Sequence, residues 1–458
     1  MRRAIAFPFA FAGALTLGCA GVSPERGHAD VAKLLEARTG YKTRWEKGPP
    51  PDEQIARWVD TLLRGGLSRD AAVEIALVNS PNLQSTYEEL GVSQADMIQA
   101  GLISNPTIGG SFGVLLPGSN GQPEYEASIS QDFLSIFLMP LRKRVAKQRF
   151  LADTVRVAHE TMRVAANVKR LVANVEAQTQ LVALRRSVVD AADASAYFAQ
   201  RQFEAGNINA LSLTRELSAL EQARLNVEHD ELALTEAREE VNRALGLWGP
   251  RTGWALAEKL PELPERELPL EGLEARAVAQ RLDVEAARIE VELLWNALEL
   301  ARDSRLFGVV QVGAHIHQDA DGPKLIGPTL SLELPIFDQR QAVIARLQSQ
   351  HRQATHRLDA IAVDARSEVR SATARLLSAR RIVERYQGAV LPLRERAVDQ
   401  SQLQYNAMQI CLFELVATKQ DQIEAYRGYL DALRDYWAAR ADLELAVGGR
   451  ILPKGTQR

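Results

Sequence analysis

The sequence predicts a mostly α-helical chain with a small β part, in which one helix–strand–strand–helix–helix unit occurs twice. Three observations predict this fold class. Segments of similar pattern recur at a spacing of roughly 200 residues, which indicates an internal repeat. Each copy contains a long helical pattern that is almost free of glycine and proline. Each copy also contains two stretches in which apolar and polar residues alternate, as they do in strands.

The repeat is carried by two pairs of segments. AGLISNPTIGGSFGV from Ala100 aligns with ARDSRLFGVVQVGAH from Ala301, and FEAGNINALSL from Phe203 aligns with YNAMQICLFEL from Tyr405. Identity is low, but the order of the predicted elements is the same in both halves. GLWGPRTGWALAEKLPELPERELP lies between the halves, and its glycine and proline content predicts a linker.

The elements of both copies follow from these patterns. In the first copy we predict a helix from about Ser68 to Ser104, strands over 106–116 and 125–134, a helix over 142–204, a turn at Ala205-Gly206-Asn207 and a helix over 208–246. In the second copy we predict a helix over 272–305, strands over 307–317 and 325–336, and helices over 339–406 and 409–447. Pro392 is expected to bend its helix rather than end it.

The last helix of each copy has an apolar residue at every seventh position, which predicts left-handed coiled-coil packing. These positions are Leu213, Leu220, Val227, Leu234 and Val241 in the first copy, and Val416, Ile423, Leu430 and Trp437 in the second. Leu217 and Leu245 add to a second seam in the first copy. A soluble helical bundle would explain the helices alone.

The strand segments place apolar residues on one face and polar residues on the other. Ile108, Phe112, Val114 and Leu116 share the apolar face of the first strand, and His315 and His317 share a polar face of the third. An apolar exterior and a polar interior, at about ten residues per strand, are typical of a transmembrane barrel. A soluble sheet with one wet face would give the same alternation.

Four strands are too few to close a barrel. An open sheet edge in lipid leaves backbone groups unpaired, at a cost of several kcal/mol each. If the strands span a membrane, several copies must therefore share one barrel, with eight strands from two copies or twelve from three. The loops PGSNGQP and QDADGPK would be the hairpin tips.

Composition excludes several classes of protein. The net charge is -3 over 458 residues, so nucleic acid is not an expected partner, and two cysteines cannot build a disulfide framework. Beyond Cys19 no apolar run approaches the length of a spanning helix, so any membrane role must use the strands. We find no phosphate-binding glycine loop, zinc-type spacing or nucleophile motif, and expect neither enzyme activity nor a cofactor or metal centre.

The first residues resemble a bacterial lipoprotein signal. Arg2 and Arg3 precede an almost wholly apolar run, and Gly18 precedes Cys19, to which lipid would be attached. Thr16 stands where the lipobox consensus has leucine. An ordinary secreted protein is the alternative. Ala20, rather than aspartate, after the cysteine favours the outer over the inner membrane.

We divide the sequence into six segments. They are a lipoprotein signal peptide (1–18), a lipid-anchored N-terminal segment (19–66), a first repeat (67–247), an inter-repeat linker (248–271), a second repeat (272–449) and a C-terminal tail (450–458).

The sequence resembles the TolC-like outer-membrane efflux proteins over nearly its whole mature length. The duplicated element order, the Phe203–Leu213 turn segment and LPIFDQRQAVIARLQ at 334–348 carry the resemblance. Family turns often read aromatic-x-x-Gly followed by apolar and hydroxyl residues. The first copy fits with Phe203, Gly206, Ile208 and Ser212, and the second has Tyr405 and Ile410 but Met408 in place of glycine.

The resemblance implies a homotrimer with a twelve-stranded β-barrel in the outer membrane of a Gram-negative bacterium, continued by a long α-helical barrel in the periplasm. It implies two partners, an inner-membrane pump of the proton-driven RND type and a periplasmic adaptor (membrane fusion) protein. Substrates delivered by these partners would leave the cell through this channel. With its lipidated cysteine, the chain resembles the branch of this family that serves heavy-metal and drug pumps. A channel for type I protein secretion, or a periplasmic coiled-coil scaffold lipoprotein without a pore, is the alternative.

The resemblance also assigns roles to single residues. The adaptor-contact tips would be Gly206, Asn207, Ile208, Met408, Gln409 and Ile410, although the same residues could serve only to reverse the chain. Glu414 would line the pore entrance and form a carboxylate ring, or be an ordinary surface glutamate. His315 and His317 would face the lumen, either as polar lining or as transient ligands of a soft metal ion. A group of basic residues follows the second strand, and it would lie either at the inner lipid boundary or at a solvated helix start. These residues are Arg142, Lys143, Arg144, Lys147 and Arg149.

Overall fold

The computed structural model describes residues 25–45, 53–114, 123–306, 308–318 and 323–451. Cys19, the signal peptide and most of both hairpin tips lie outside these ranges. The helices are α1 (Glu25–Thr39), α2 (Glu53–Arg64), α3 (Arg69–Asn79), α4 (Pro81–Ala100), α5 (Leu134–Glu204), α6 (Ala210–Leu245), α7 (Leu273–Gln280), α8 (Leu282–Asp303), α9 (Gln341–Arg385), α10 (Leu391–Asn406) and α11 (Leu412–Val447). The strands are β1 (Thr107–Phe112), β2 (Tyr125–Asp132), β3 (Val310–Gln318) and β4 (Lys324–Leu332). The expected mostly helical fold with a small sheet is confirmed.

The predicted helix from Ser68 to Ser104 is wrong, because two helices occupy this range. Ser80 is extended, with φ -70° and ψ 117°, and separates α3 from α4. Pro81 causes the break, since a proline ring excludes the helical conformation from the residue before it. The predicted helix over 272–305 is also two helices, α7 and α8, which separate at the extended residue Arg281.

The long helices differ from prediction at their ends and in one turn. α5 begins at Leu134 rather than at residue 142. At this start the Ser135 N–H donates to the Asp132 carboxylate at 3.1 Å, which caps the helix. In the second copy the helical path continues past Pro392, as predicted. A π turn over Tyr386–Val390 joins α9 to α10 there. Such widened turns accommodate a helix next to a residue that cannot donate a hydrogen bond.

The four strands form one antiparallel sheet in the order β1-β2-β3-β4. Because β2 pairs with β3, hairpins from the two halves of the chain join in a single sheet. Within the described ranges β1 and β4 each have a partner on one side only. The sheet and its flanking segments, 89–150 and 292–349, belong to one compact unit.

A large hydrophobic core lies in a second compact unit, made of 30–88, 151–291 and 350–458. Helices α5, α7, α9 and α11 supply its buried side chains, with Leu376, Leu433 and Tyr436 among the largest. Leu260 and Leu268 from the predicted linker also pack into this core. No helix in the described parts of the chain combines the length and hydropathy needed to cross a bilayer.

In α6 the first predicted seam faces inward, but the second is buried only at its end, where Leu245 is fully buried. Leu217 is 43% exposed, and the buried positions with sevenfold spacing are instead Glu216, Ala223, Asp230 and Ala237. Two acidic residues are buried there because each has a hydrogen-bonding partner on α5, Ser195 for Glu216 and Arg185 for Asp230.

Candidate functional site: the exposed sheet and the two helical turns

The strand register aligns the apolar residues of all four strands. Ile108 lies opposite Ile129, Ile129 opposite Ala314, and Ala314 opposite Pro328. Residues directly opposite each other point to the same side of a sheet. The face so formed carries Ile108, Gly110, Phe112, Tyr125, Ala127, Ile129, Val310, Val312, Ala314, Ile316, Ile326, Pro328, Leu330 and Leu332, together with the polar residues Gln131, Gln318 and Lys324.

This apolar face is exposed rather than packed in a core. Ile108 is 79% exposed, Ile326 77% and Leu330 74%. Surfaces of this kind mark contact with another protein or with lipid. Val114, also 77% exposed, lies beyond the end of β1, and Leu116 lies outside the described residues.

The opposite face is polar and carries His315 and His317. His315 lies opposite Ser128 and Gly327, and His317 lies opposite Glu126. The His315 ring packs over Gly327, where an added Cβ would be 3.3 Å from its Cε1. Among the described residues, no group of three or more His, Cys, Asp or Glu side chains is arranged to hold a metal ion.

The two helical turns have the same backbone hydrogen bonds. In the first, Gly206 N–H donates to Phe203 O and Asn207 N–H to Gln202 O; in the second, Met408 N–H donates to Tyr405 O and Gln409 N–H to Gln404 O. These four bonds are 2.8–2.9 Å long. The turns therefore share one geometry despite their different sequences.

Met408 takes the left-handed conformation that glycine provides in the first turn. Its φ is 57°, against 76° for Gly206. The Met408 side chain is 94% exposed, and Gly206, Asn207 and Gln409 are exposed as well. Ile208 and Ile410 are partly buried. Each turn thus presents its central residues to solvent.

The helices that follow the turns begin differently. The Asn209 side chain accepts the Ser212 N–H at 2.9 Å and caps α6, a role that the sequence patterns did not reveal. Cys411 occupies the same place before α11 and makes no side-chain capping bond. Glu414 lies in the first turn of α11, where its exposed carboxylate is favoured by the positive end of the helix dipole.

Charged side chains of α5 interact with one another just before the first of the two chain reversals, at Gly206. The hydrogen bond from Gln200 and the nearby Arg201 guanidinium lower the pKa of Glu204. Farther along, Arg185 is buried between two helices, with Nε 3.1 Å from Asp230 of α6 and Nη1 2.7 Å from Glu424 of α11. This cluster connects α5 both to α6 and to α11.

The chain shares its fold with several solved outer-membrane channels. The chain is similar to CusC, described as forming a transmembrane channel, with TM-score 0.70 and 17% identity over 83% of this chain and 92% of that one. It is similar to the CmeC outer membrane channel of Campylobacter jejuni, with TM-score 0.72 and 14% identity over 91% of each chain. The MtrE outer membrane channel of Neisseria gonorrhoeae matches with TM-score 0.65 and 16% identity, over 88% of this chain and 91% of that one.

These likenesses confirm the resemblance at the level of the fold. No protein-family model matches the sequence, and no curated protein matches it significantly.

Proposed function

We propose that three copies of this chain form a channel in the outer membrane of a Gram-negative bacterium and act there as a passive exit duct, not as an enzyme. The observation that carries the proposal is the sheet with one exposed apolar face and two edge strands. In lipid, the free sides of β1 and β4 would leave their N–H and C=O groups unsatisfied. Three sheets joined edge to edge would give twelve strands, which is enough to enclose a water-filled passage.

The fold likeness supports the channel rather than the scaffold, since CmeC and MtrE are outer membrane channels. In the proposed trimer the helices continue the duct into the periplasm as an α-helical barrel, with each chain contributing two copies of one repeat. The polar sheet face, with His315 and His317, lines the lumen. Cys19 carries the lipid anchor in the outer membrane.

The turns are the proposed contact with a periplasmic adaptor, which would join the channel to an inner-membrane pump of the RND type. Exposure of Met408, Gly206 and their neighbours supports this role. Glu414 would contribute a carboxylate from each subunit to a ring at the pore entrance and favour cations there. Metal ions or drugs are the proposed substrates.

Single-channel recording in planar bilayers tests the pore. The purified protein should give stable conductance steps and should cross-link as a trimer. Absence of conductance in a correctly folded trimer would favour a scaffold lipoprotein.

Deletion strains should become sensitive to copper, zinc, cobalt or common drugs. Loss of a secreted protein without such sensitivity would favour type I secretion.

Neutralising Glu414 tests the proposed ring in the same recordings. Glu414→Gln should lower cation selectivity, whereas Asp435→Asn, at an exposed position farther along the same helix, should leave it unchanged. Mass spectrometry of the mature N-terminus should find acyl chains on Cys19, and Cys19→Ser should remove them.

A further inference from the structure

A cavity of about 320 Å³ lies where the strands give way to helices, within the unit that contains the sheet. Three arginines from separate segments line it: Arg142 from α5, Arg305 from the segment after α8 and Arg340 from the segment before α9. Only Arg142 belongs to the basic segment that stands out in the sequence. The other two are brought to it by the fold.

The three guanidinium groups retain free donors. Arg142 Nη2 donates to the Ser135 carbonyl at 2.6 Å, and Arg340 Nη1 donates to Ser304 Oγ at 2.7 Å. Within the described ranges, none of the three has a carboxylate oxygen within 4.0 Å. Each guanidinium has five N–H donors, so most of them remain available to an anion.

The carboxylates of the same cavity are already engaged by backbone. Asp132 accepts the Ser135 N–H at 3.1 Å and Glu333 accepts the Val309 N–H at 3.0 Å. Asp338 accepts the N–H of Arg340 at 2.8 Å. These acids hold the loops in place and are not paired with the guanidinium groups.

Arg340 is held in an uncommon backbone conformation, with φ 59°. A left-handed φ is unfavourable for arginine, and such residues persist where the surroundings fix them. The bond from its side chain to Ser304, which is fully buried, is one such constraint. The loop therefore presents the guanidinium at the cavity in a fixed position.

Exposed apolar side chains lie next in the sequence to residues that line the cavity. Phe133 and Phe137 stack edge to face with their ring centroids 5.5 Å apart, and they are 48% and 67% exposed. Ile336 and Phe337 are 66% and 92% exposed. The sequence between Phe133 and Asp153 has five basic residues and no acidic one. Apolar and cationic groups therefore meet at this end of the sheet.

We propose that this cavity binds the phosphate headgroup of an anionic phospholipid, whose acyl chains lie along the apolar side chains beside it. Arginine suits this ligand because its planar fork donates two parallel bonds to phosphate oxygens. The inference rests on the proposed function, since it requires that the sheet lie in a membrane. It adds a specific lipid site to the general contact of an apolar face with lipid.

Native mass spectrometry of the detergent-purified full chain tests this site with two probes, dioleoyl-phosphatidylglycerol and dioleoyl-phosphatidylcholine. Wild-type protein should retain the anionic lipid preferentially. Arg305→Gln should weaken its retention about five-fold, since one basic residue near an anionic surface contributes about 1 kcal/mol. The Arg305 side chain has no hydrogen bond or ion pair within the described residues, and its backbone bond to the Arg302 carbonyl is kept in the variant, so Arg305→Gln should fold normally.

Arg144→Gln is the matched control, because it removes the same charge from an exposed position that does not line the cavity. Equal losses in both variants, or equal retention of the two lipids by wild-type protein, would overturn the site. Displacement of the lipid by millimolar inorganic phosphate alone would also overturn it, because acyl contacts would then contribute nothing.

Conductance of the same preparations separates this inference from the proposed function. Conducting wild-type protein without charge-dependent lipid retention would refute the lipid site alone. Lipid retention that depends on Arg305, in a protein without conductance, would refute the channel and support the site.

Discussion

Met408 and Gly206 hold the same place in two turns of one geometry, and only one of them is a glycine. A left-handed conformation costs a residue with a Cβ roughly 1–2 kcal/mol, and glycine avoids this cost. Met408→Gly should therefore stabilise the second turn by about 1 kcal/mol. Hydrogen exchange of the Gln409 amide would measure the change, and Gly206→Ala should show the opposite effect in the first turn. Faster exchange in Met408→Gly would contradict the explanation.

Cys411 stands at a helix start where the first copy has the capping residue Asn209. A side chain that accepts an N–H from the first helical turn stabilises a helix by about 1 kcal/mol. Cys411→Asn should accordingly raise the unfolding free energy, as measured by urea titration in detergent. Cys411→Ala is the control and should change little. An equal gain in both variants would mean that removal of the thiol, not capping, is responsible.

Among the elements, buried ion pairs connect the helices in addition to apolar seams. Asp230→Asn should destabilise the protein by about 3 kcal/mol, because it leaves the buried Arg185 with Glu424 alone. The neighbouring pair of Arg186 and Glu231 has 66% and 43% exposed side chains, and Glu231→Gln should cost less than about 1 kcal/mol. Equal urea midpoints for the two variants would show that burial does not decide the contribution.

The two breaks in the predicted helices have different causes. Proline explains the break between α3 and α4, and it could have been read from the Ser80-Pro81 pair. The break between α7 and α8 has no proline. Arg281 is extended there and bonds to both Asp283 and Glu368. Those partners come from different helices, so the second break depends on packing that no local pattern contains.

For the whole molecule, the direction of each sheet face decides whether the proposed barrel can exist. Leu330 lies on the apolar face and Ser331 on the polar face of β4. Leu330→Arg should destabilise the folded protein in lipid vesicles, lowering its free energy of unfolding by about 2 kcal/mol, because it places a charge against hydrocarbon. Ser331→Arg should fold nearly as well as wild type. Urea titrations monitored by tryptophan fluorescence would measure both, and equal losses would contradict a membrane-embedded sheet.

The spacing of apolar and polar residues fixes the kind of each element, because a period of two or of about 3.6 residues specifies which side chains share a face. The alternation at Ile108 and His315, the reversal at Gly206 and the seam through Leu220 could all be read in this way. Which segments meet could be learned only from the folded chain. It paired β2 with β3, buried Glu216 and Asp230 against α5, and gathered Arg142, Arg305 and Arg340 around one cavity. Such contacts depend on the matching of surfaces far apart in the chain, and the pattern within one segment carries no record of its partner.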